Sequence, residues 1–277
     1  MAIHPAIGPG NVALVTGGAD GIGLAAARRF AELGMRIAIA DNDAERLAAA
    51  SALLGPEALA VETDVSDRAS MEELAAKVAG RLGPVSLLMN NAGIGGGGDA
   101  LSNLPGWERV LGVNLMGVLH GVQAFVPAMV ASGRPGLVIN TGSKQGVTQP
   151  PGDTAYNVSK AGVKALTEGL AHTLRESTGD RVTAHLLIPG FTYTGMMRKV
   201  MPEKPAAAWT PEQVVEVLLT GLSQGRFYLW CQDNETDWET DRRRVLWNAG
   251  DIAEGRPALS RWHPEWKDAF ARFCEEG

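Results

Sequence analysis

Thr16-Gly17-Gly18-Ala19-Asp20-Gly21-Ile22-Gly23-Leu24 follows an apolar, β-branched run over residues 11–16 and opens a helical pattern. Gly17, Gly21 and Gly23 let the backbone turn tightly and approach a pyrophosphate, whose charge the first N–H groups of the helix, at Ile22 and beyond, can receive. In the first strand-to-helix turn this spacing reads as a dinucleotide cradle; the plain alternative is a tight turn without a ligand. Asp20 lies inside the turn and adds negative charge to it.

The rest of the chain continues that unit. Further strand patterns fall at residues 36–40, 58–62, 85–89, 136–140, 181–187 and 225–230, and helical patterns at 22–33, 44–54, 107–131, 155–177 and 211–223. Met71, Leu74, Ala75, Val78 and Leu82 recur at helical spacing, with Ser66 and Asp67 as candidate caps. Strand alternating with helix predicts an α/β fold, a Rossmann-like, doubly wound, seven-stranded parallel sheet with right-handed crossovers and helices on both faces. The organisation expected is one domain over residues 1–277: a lead-in at 1–10, a core at 11–231 and an aromatic-rich helical extension at 232–277. Residues 190–209 are too polar for a strand and too broken for a helix, which suggests a mobile loop over a site. In the extension, one helical turn is expected at 242–247. A second amphipathic segment at 262–273 would bury Trp262, Trp266, Phe270 and Phe273, packed on its own subunit, against another, or as a lid.

Composition narrows the function classes. The 277 residues carry 25 Lys plus Arg against 31 Asp plus Glu, a formal charge of -6 that disfavours a nucleic-acid partner. A hydrophobic fraction of 45% with 20% charged residues is that of a folded globular protein. Cys231 and Cys274 make neither a disulfide framework nor a metal-ligand spacing, and the five histidines form no cluster with acids, so no metal is expected and a reducing, cytoplasmic setting fits. Residues 1–10 lack the pattern of a secretory signal, and the apolar stretch at 117–131 falls short of the ~20 residues of a spanning helix, so no membrane partner is expected.

Asp41 ends the second strand pattern, 18 residues after Gly23, where a carboxylate accepts hydrogen bonds from an adenosine ribose and repels a 2′-phosphate. With Asp20 it favours NAD over NADP; the alternative is a cap for the helix that starts near Asp43. Asp64, followed by Val65, suits the adenine edge or a turn cap. Tyr156 and Lys160 are four apart in a helical pattern, so they share a face. A neighbouring ammonium lowers a phenol from its ordinary pKa of about 10 and makes it a usable base, although such a pair alone is a common surface feature.

Across residues 11–230 the chain resembles the classical short-chain dehydrogenase/reductase family. The resemblance rests on Thr16-Gly-x-x-x-Gly-x-Gly23, Asn90-Asn91-Ala92-Gly93, Asn114, Ser143 at 13 residues before Tyr156, Tyr156-x-x-x-Lys160 and Pro189-Gly190. It implies that Tyr156 exchanges a proton with the substrate oxygen and that Lys160 lowers the Tyr156 pKa and holds the nicotinamide ribose. It further implies that Ser143 stabilises the substrate oxygen and that Asn114 positions a water. Asn91, Ala92, Gly93, Pro189, Gly190, Thr192 and Thr194 would contact the cofactor, and a homo-oligomer, dimer or tetramer, is expected. Ile94, Gln145, Phe191 and Tyr193 are candidate pocket walls. Lys144 departs from the small neutral residues usual beside the serine; it salt-bridges outward or binds a polar substrate. The activity implied is NAD-dependent interconversion of a secondary alcohol and a ketone. The substrate is expected to be largely apolar, cyclic or aryl, from Met196, Met197 and the aromatic tail. The alternatives are a 3-oxoacyl reductase, which would use NADPH, and a non-catalytic NAD(H) sensor.

Overall fold

The computed structural model describes residues 3–198 and 200–275. The chain runs β1 (Val12–Thr16), α1 (Gly21–Glu32), β2 (Arg36–Asp41), α2 (Ala44–Leu54), β3 (Leu59–Glu62), α3 (Arg68–Leu82) and β4 (Val85–Asn90). Next comes α4 (Leu104–Leu111), which a π turn (Gly112–Met116) joins to α5 (Gly117–Ala131), then β5 (Gly136–Thr141), the single-turn α6 (Gln145–Thr148), α7 (Thr154–Thr178) and β6 (Val182–Ile188). Last are the short α8 (Gly195–Arg198), α9 (Pro211–Ser223), β7 (Tyr228–Trp230), α10 (Trp238–Ala253) and α11 (Lys267–Glu275).

All seven strands are parallel, in the order β3-β2-β1-β4-β5-β6-β7. Because successive side chains point to opposite faces, adjacent residues serve different layers. Leu14, Ala38, Leu88 and Val138 pack beneath α3, α5 and α7, through Met71, Leu74, Phe125, Met129 and Leu174. Val15, Ile39, Met89 and Ile139 pack against Phe30 of α1 and Val214, Leu218 and Leu222 of α9. Both faces are covered, which is why the strands read as continuous apolar runs. The strand order reverses beside β1, opening a crevice past the C-terminal ends of β1 and β4 where such sheets bind ligands.

The helix starts follow local chemistry. Asp20 caps α1, Asp43 caps α2 and Asp67 caps α3, each by a carboxylate that accepts a first-turn N–H. At α9, Thr210 and Gln213 form a reciprocal capping box with Pro211 at the first helical position.

Several boundaries differ from the sequence reading. The helix expected from 107 starts at Leu104, because Asn103 takes a left-handed conformation and accepts from the Gly106 N–H at 3.2 Å. It continues to Ala131, long and apolar enough by length and composition to cross a bilayer. Val118, Phe125, Val126 and Met129 on this helix are nevertheless buried in the protein. The last strand starts at Tyr228 and not 225, since Gly225 at φ +66° closes α9 and Arg226 N–H bonds back to Gly221 at 3.0 Å. The 190–209 segment contains α8, and its ends are tied by Trp209 N–H to Phe191 O at 2.8 Å and Tyr193 N–H to Trp209 O at 2.9 Å. In the extension, the single turn expected at 242–247 is the 16-residue α10. Of the aromatic face expected to be buried, Trp266 and Phe270 are half-buried; Phe270 and Phe273 enclose the buried Trp247 of α10 at 5.4 and 5.2 Å between ring centroids, with the Arg256 guanidinium 3.9 Å over its ring. Trp262 and Phe273 stay 38% and 36% exposed at the rim.

Candidate active site

The Gly-rich turn is held from two sides. Gly17 and Gly21 both have positive φ. A Cβ on Gly23 would collide with the Gly17 carbonyl and come within 2.7 Å of Asn91 Nδ2, so only glycine lets α1 start this close to the turn. The Thr16 hydroxyl accepts from the N–H groups of Asn91 and Ala92 at 3.0 and 3.2 Å. Asn91 Nδ2 donates back to the carbonyls of Thr16 and Gly17, both at 3.3 Å. Asn91, Ala92 and Gly93 thus fix the turn to the end of β4. The outcome is a cradle of backbone at the N-terminus of a 12-residue helix, which fits the diphosphate of a dinucleotide.

Asp41 stands at the end of β2 beside this turn, where its carboxylate accepts from Ala19 N–H at 3.3 Å and Asp43 N–H at 3.2 Å. It does not cap α2; Asp43 does. Among the described residues no Lys or Arg pairs with Asp41, whereas Asp20 meets Arg46 at 3.5 Å and also pairs with Arg198. The Asp20 charge is thereby compensated, whereas the Asp41 carboxylate is held by backbone N–H groups alone among the described residues. Asp64 accepts from the N–H and hydroxyl of Ser66 at 2.9 and 2.7 Å, the turn-capping geometry. Val65 is buried against Gly117, and its carbonyl meets His120 Nδ1 at 3.0 Å. Ile22, in the first turn of α1, packs into the core.

Four polar side chains gather past the ends of β4 and β5. Asn114 sits inside the π turn and is fully buried. Its amide clamps Ile94, accepting from its N–H and donating to its carbonyl, both at 2.8 Å, and donates to Ser159 Oγ at 3.0 Å. Ser159 in turn donates to the Tyr156 carbonyl at 2.7 Å, so Asn114 joins the β4 segment to α7. Lys160 is buried, with its ammonium donating to the Thr141 carbonyl at 2.7 Å and 5.8 Å from the Tyr156 ring centroid. Burial pushes Lys160 down to about 8.

Tyr156 departs from the expectation of a lowered phenol. Burial pushes it above its ordinary value; a hydrogen bond with Ser143 works to lower it and the Asp153 carboxylate to raise it. The ammonium of Lys160 is engaged by the Thr141 carbonyl, and desolvation is the largest influence on the phenol. Ser143 follows β5, its Oγ accepting from Gln145 N–H at 3.2 Å, which leaves Gln145 anchored by backbone with its side chain exposed.

The 190–209 segment lies over the cradle. Thr194 packs on Gly21, where a Cβ would come 2.9 Å from its methyl, and Arg198 of α8 reaches Asp20. Pro189 accepts from Lys144 N–H at 3.1 Å, and Thr192 donates to the Gly190 carbonyl at 3.2 Å while bridging to Trp209. Phe191 supplies the carbonyl that ties Trp209. Tyr193 turns to Met201 and Pro202 and lines a cavity of about 280 Å³ with Asp20, Arg28 and Arg198, beside the cradle and not over Tyr156. Met196 meets the Gly95–Gly98 loop, its Sδ 4.0 Å from where a Gly95 Cβ would stand. Lys144 does not point outward: its ammonium lies between Asp233 and Asp241 at 3.0 and 2.5 Å.

Asp153 escaped the sequence reading. It caps α7 by accepting from Tyr156 N–H at 3.2 Å, and its carboxylate also holds the N–H groups of Gly96 and Gly98 at 2.7 and 3.0 Å. An Asp one position ahead of a helical pattern is the signal that finds it.

The family model for short chain dehydrogenases matches residues 11–205. The chain is 33% identical over 198 residues to 2,5-dichloro-2,5-cyclohexadiene-1,4-diol dehydrogenase LinX of Sphingobium indicum, covering 70% of this chain and 78% of that one. Among solved structures, a short chain dehydrogenase/reductase from Burkholderia phymatum in complex with NAD superposes with a TM-score of 0.80 at 33% identity, over 91% of this chain and 97% of the other. A metagenomic short-chain oxidoreductase in complex with NADP gives 0.64 at 28% identity, over 78% and 92%.

Proposed function

The chain belongs to the short-chain dehydrogenase/reductase family, and on that premise we propose that it is an NAD-dependent oxidoreductase that interconverts a secondary alcohol and a ketone. The observation that carries this reading is the convergence of Ser143, Tyr156 and Lys160 past the end of β5, next to a Gly-rich cradle at the first helix of the sheet. When bound, the nicotinamide cofactor supplies the carbon that takes or returns the hydride.

The chain's own groups manage the proton and the charge. Tyr156 Oη gives its proton to the ketone oxygen in reduction and takes one from the alcohol in oxidation. A phenol raised by burial stays protonated at neutral pH, which suits reduction; the Ser143 hydrogen bond and the Lys160 ammonium favour the phenolate that oxidation needs. Ser143 Oγ donates to the substrate oxygen and stabilises the charge that develops there. Thr141 O holds the Lys160 ammonium on the α7 face that carries Tyr156. Asn114 and Asp153 keep α7 in register with the β4 segment and the Gly95–Gly98 loop.

Asp41 supports NAD. Unit charges about 4 Å apart in water repel by about 1 kcal/mol, so a dianionic 2′-phosphate beside this carboxylate is disfavoured by about 2 kcal/mol, or ~30-fold. A largely apolar, cyclic substrate is supported by Met196 against the Gly95–Gly98 loop and by the ring diol in the name of the Sphingobium relative. The aromatic tail gives no such support, because its rings pack on one another around Trp247. Exposed Leu104, Met116 and Val158 support a homo-oligomer, and a cytoplasmic setting completes the reading.

The test follows nicotinamide absorbance with NAD and NADP against a panel of acyclic, cyclic and aryl secondary alcohols and their ketones. Turnover of ring substrates with NAD, narrowing by about thirtyfold in preference over NADP in Asp41→Asn, is expected. Cofactor binding without turnover across the panel would overturn the reading in favour of a sensor.

A further inference from the structure

Ser143 is followed by a segment that the C-terminal extension holds from outside. Lys144 is 14% exposed along its side chain, and its ammonium lies 3.0 Å from Asp233, just past β7, and 2.5 Å from Asp241, in the first turn of α10. Asp241 is buried, accepts from Trp230 Nε1 at 2.9 Å and faces Arg244 at 3.5 Å, so two cations meet two carboxylates. Although burial works to raise it, the Lys144 ammonium holds the Asp233 carboxyl below the usual range. The Lys144 stem crosses Gly190, where a Cβ would stand 2.8 Å from Cε, so the same side chain presses on the turn that starts the 190–209 segment.

Two more contacts complete the clasp. Asn248 of α10 donates to the Val147 carbonyl of α6 at 3.1 Å. On the opposite side, a Cβ on Gly146 would meet the Lys160 carbonyl at 2.7 Å, so α6 lies directly on α7 at the active-site lysine. The turn that bears Ser143 is therefore sandwiched between α7 and α10. Taking charges out of water costs free energy that apolar packing does not, so a buried ionic knot is a poor choice for stability alone and a good one for fixing a single geometry.

We propose that Lys144, with Asp233 and Asp241 as its counterions, is a positioning residue for Ser143, and that the extension is thereby a structural part of the active site. The inference rests on the proposed role of Ser143, and its test includes a measurement that needs no turnover.

The charge-balanced variant Lys144→Met/Asp233→Asn removes the tether and leaves the Asp241–Arg244 pair. Amide hydrogen exchange over residues 143–148 is expected to quicken tenfold or more, with NADH affinity within twofold of wild type. With an alcohol that the wild type oxidises, kcat should fall at least tenfold while KM moves less than threefold, and Lys144→Arg should recover most of it. Wild-type exchange and kcat in the folded variant would overturn the proposal. If the double variant does not melt cooperatively, Asp233→Asn alone, which keeps the Lys144–Asp241 pair, should move exchange and kcat about threefold, and unchanged values there overturn it equally. Faster exchange in a protein whose wild type turns over no alcohol would leave the tether standing and remove the dehydrogenase reading instead.

Discussion

Gly23→Ala tests the cradle at its tightest point. A Cβ there would stand 2.9 Å from the Gly17 carbonyl carbon and 2.7 Å from Asn91 Nδ2, against an ordinary carbon separation of about 3.5 Å or more. Neither neighbour can yield alone, because Asn91 is bonded to the carbonyls of both Thr16 and Gly17. Overpacking of this kind costs about 1–3 kcal/mol, of which Ala returns about 1 kcal/mol through its better helix propensity, so a net stability loss of about 0–2 kcal/mol is expected. Cofactor binding should suffer more. Turning one backbone N–H away from a charged diphosphate forfeits about 1.5–3 kcal/mol, or ~10- to 150-fold in Kd. Gly80→Ala is the control: it lies in α3 with nothing within 4 Å of the added Cβ, and should stabilise by about 0.5–1 kcal/mol without touching the cofactor. Calorimetric titration with NADH, beside urea melts of both variants, reads the two effects separately. A folded Gly23→Ala protein that binds NADH within twofold of wild type would refute the reasoning.

Two linkage predictions follow from buried titrating groups. Lys160 has a folded pKa of about 8 against 10.5 in the unfolded chain, so between those values the unfolded chain holds more protons and stability rises with pH. The unfolding free energy of wild type minus Lys160→Met should climb by up to about 3 kcal/mol from pH 7 to 10.5, and a flat difference in urea melts would contradict the burial argument. His4 is pushed down to about 4 by burial and by His185, whose own value is lowered by burial against a bond to the Arg226 carbonyl. Below 6.5 the unfolded chain protonates first, so stability is lost as pH falls towards 4, by about 1–2 kcal/mol after allowance for solvent screening. Melts of wild type and His4→Gln at pH 7 and 4.5 check it; an equal loss in both would sink the assignment.

Short-range spacing carried most of what was legible. The Gly-rich turn, the placement of Asp41 at the end of β2 and the Tyr156, Lys160 face depend on residues close in sequence, and the doubly wound parallel sheet follows from the alternation of strand and helix with right-handed crossovers. What escaped depends on distant partners. Lys144 reads as a surface charge because its counterion Asp233 is 89 residues away. The Tyr156 shift runs opposite to the sequence expectation because burial sets it, with Lys160 drawn to the Thr141 carbonyl on a separate strand. The tail showed its amphipathic period, but not that Trp247 would be its centre or that α10 would reach α6.

The central claim is that Tyr156 moves the proton in a nicotinamide-dependent alcohol–ketone reaction. Tyr156→Phe keeps the ring and removes the hydroxyl, so it should bind NADH within about twofold of wild type. Its kcat in the absorbance assay should fall by about 10²–10⁴-fold, the share a positioned acid or base contributes. Wild-type turnover in a Tyr156→Phe protein that binds cofactor normally would contradict the account.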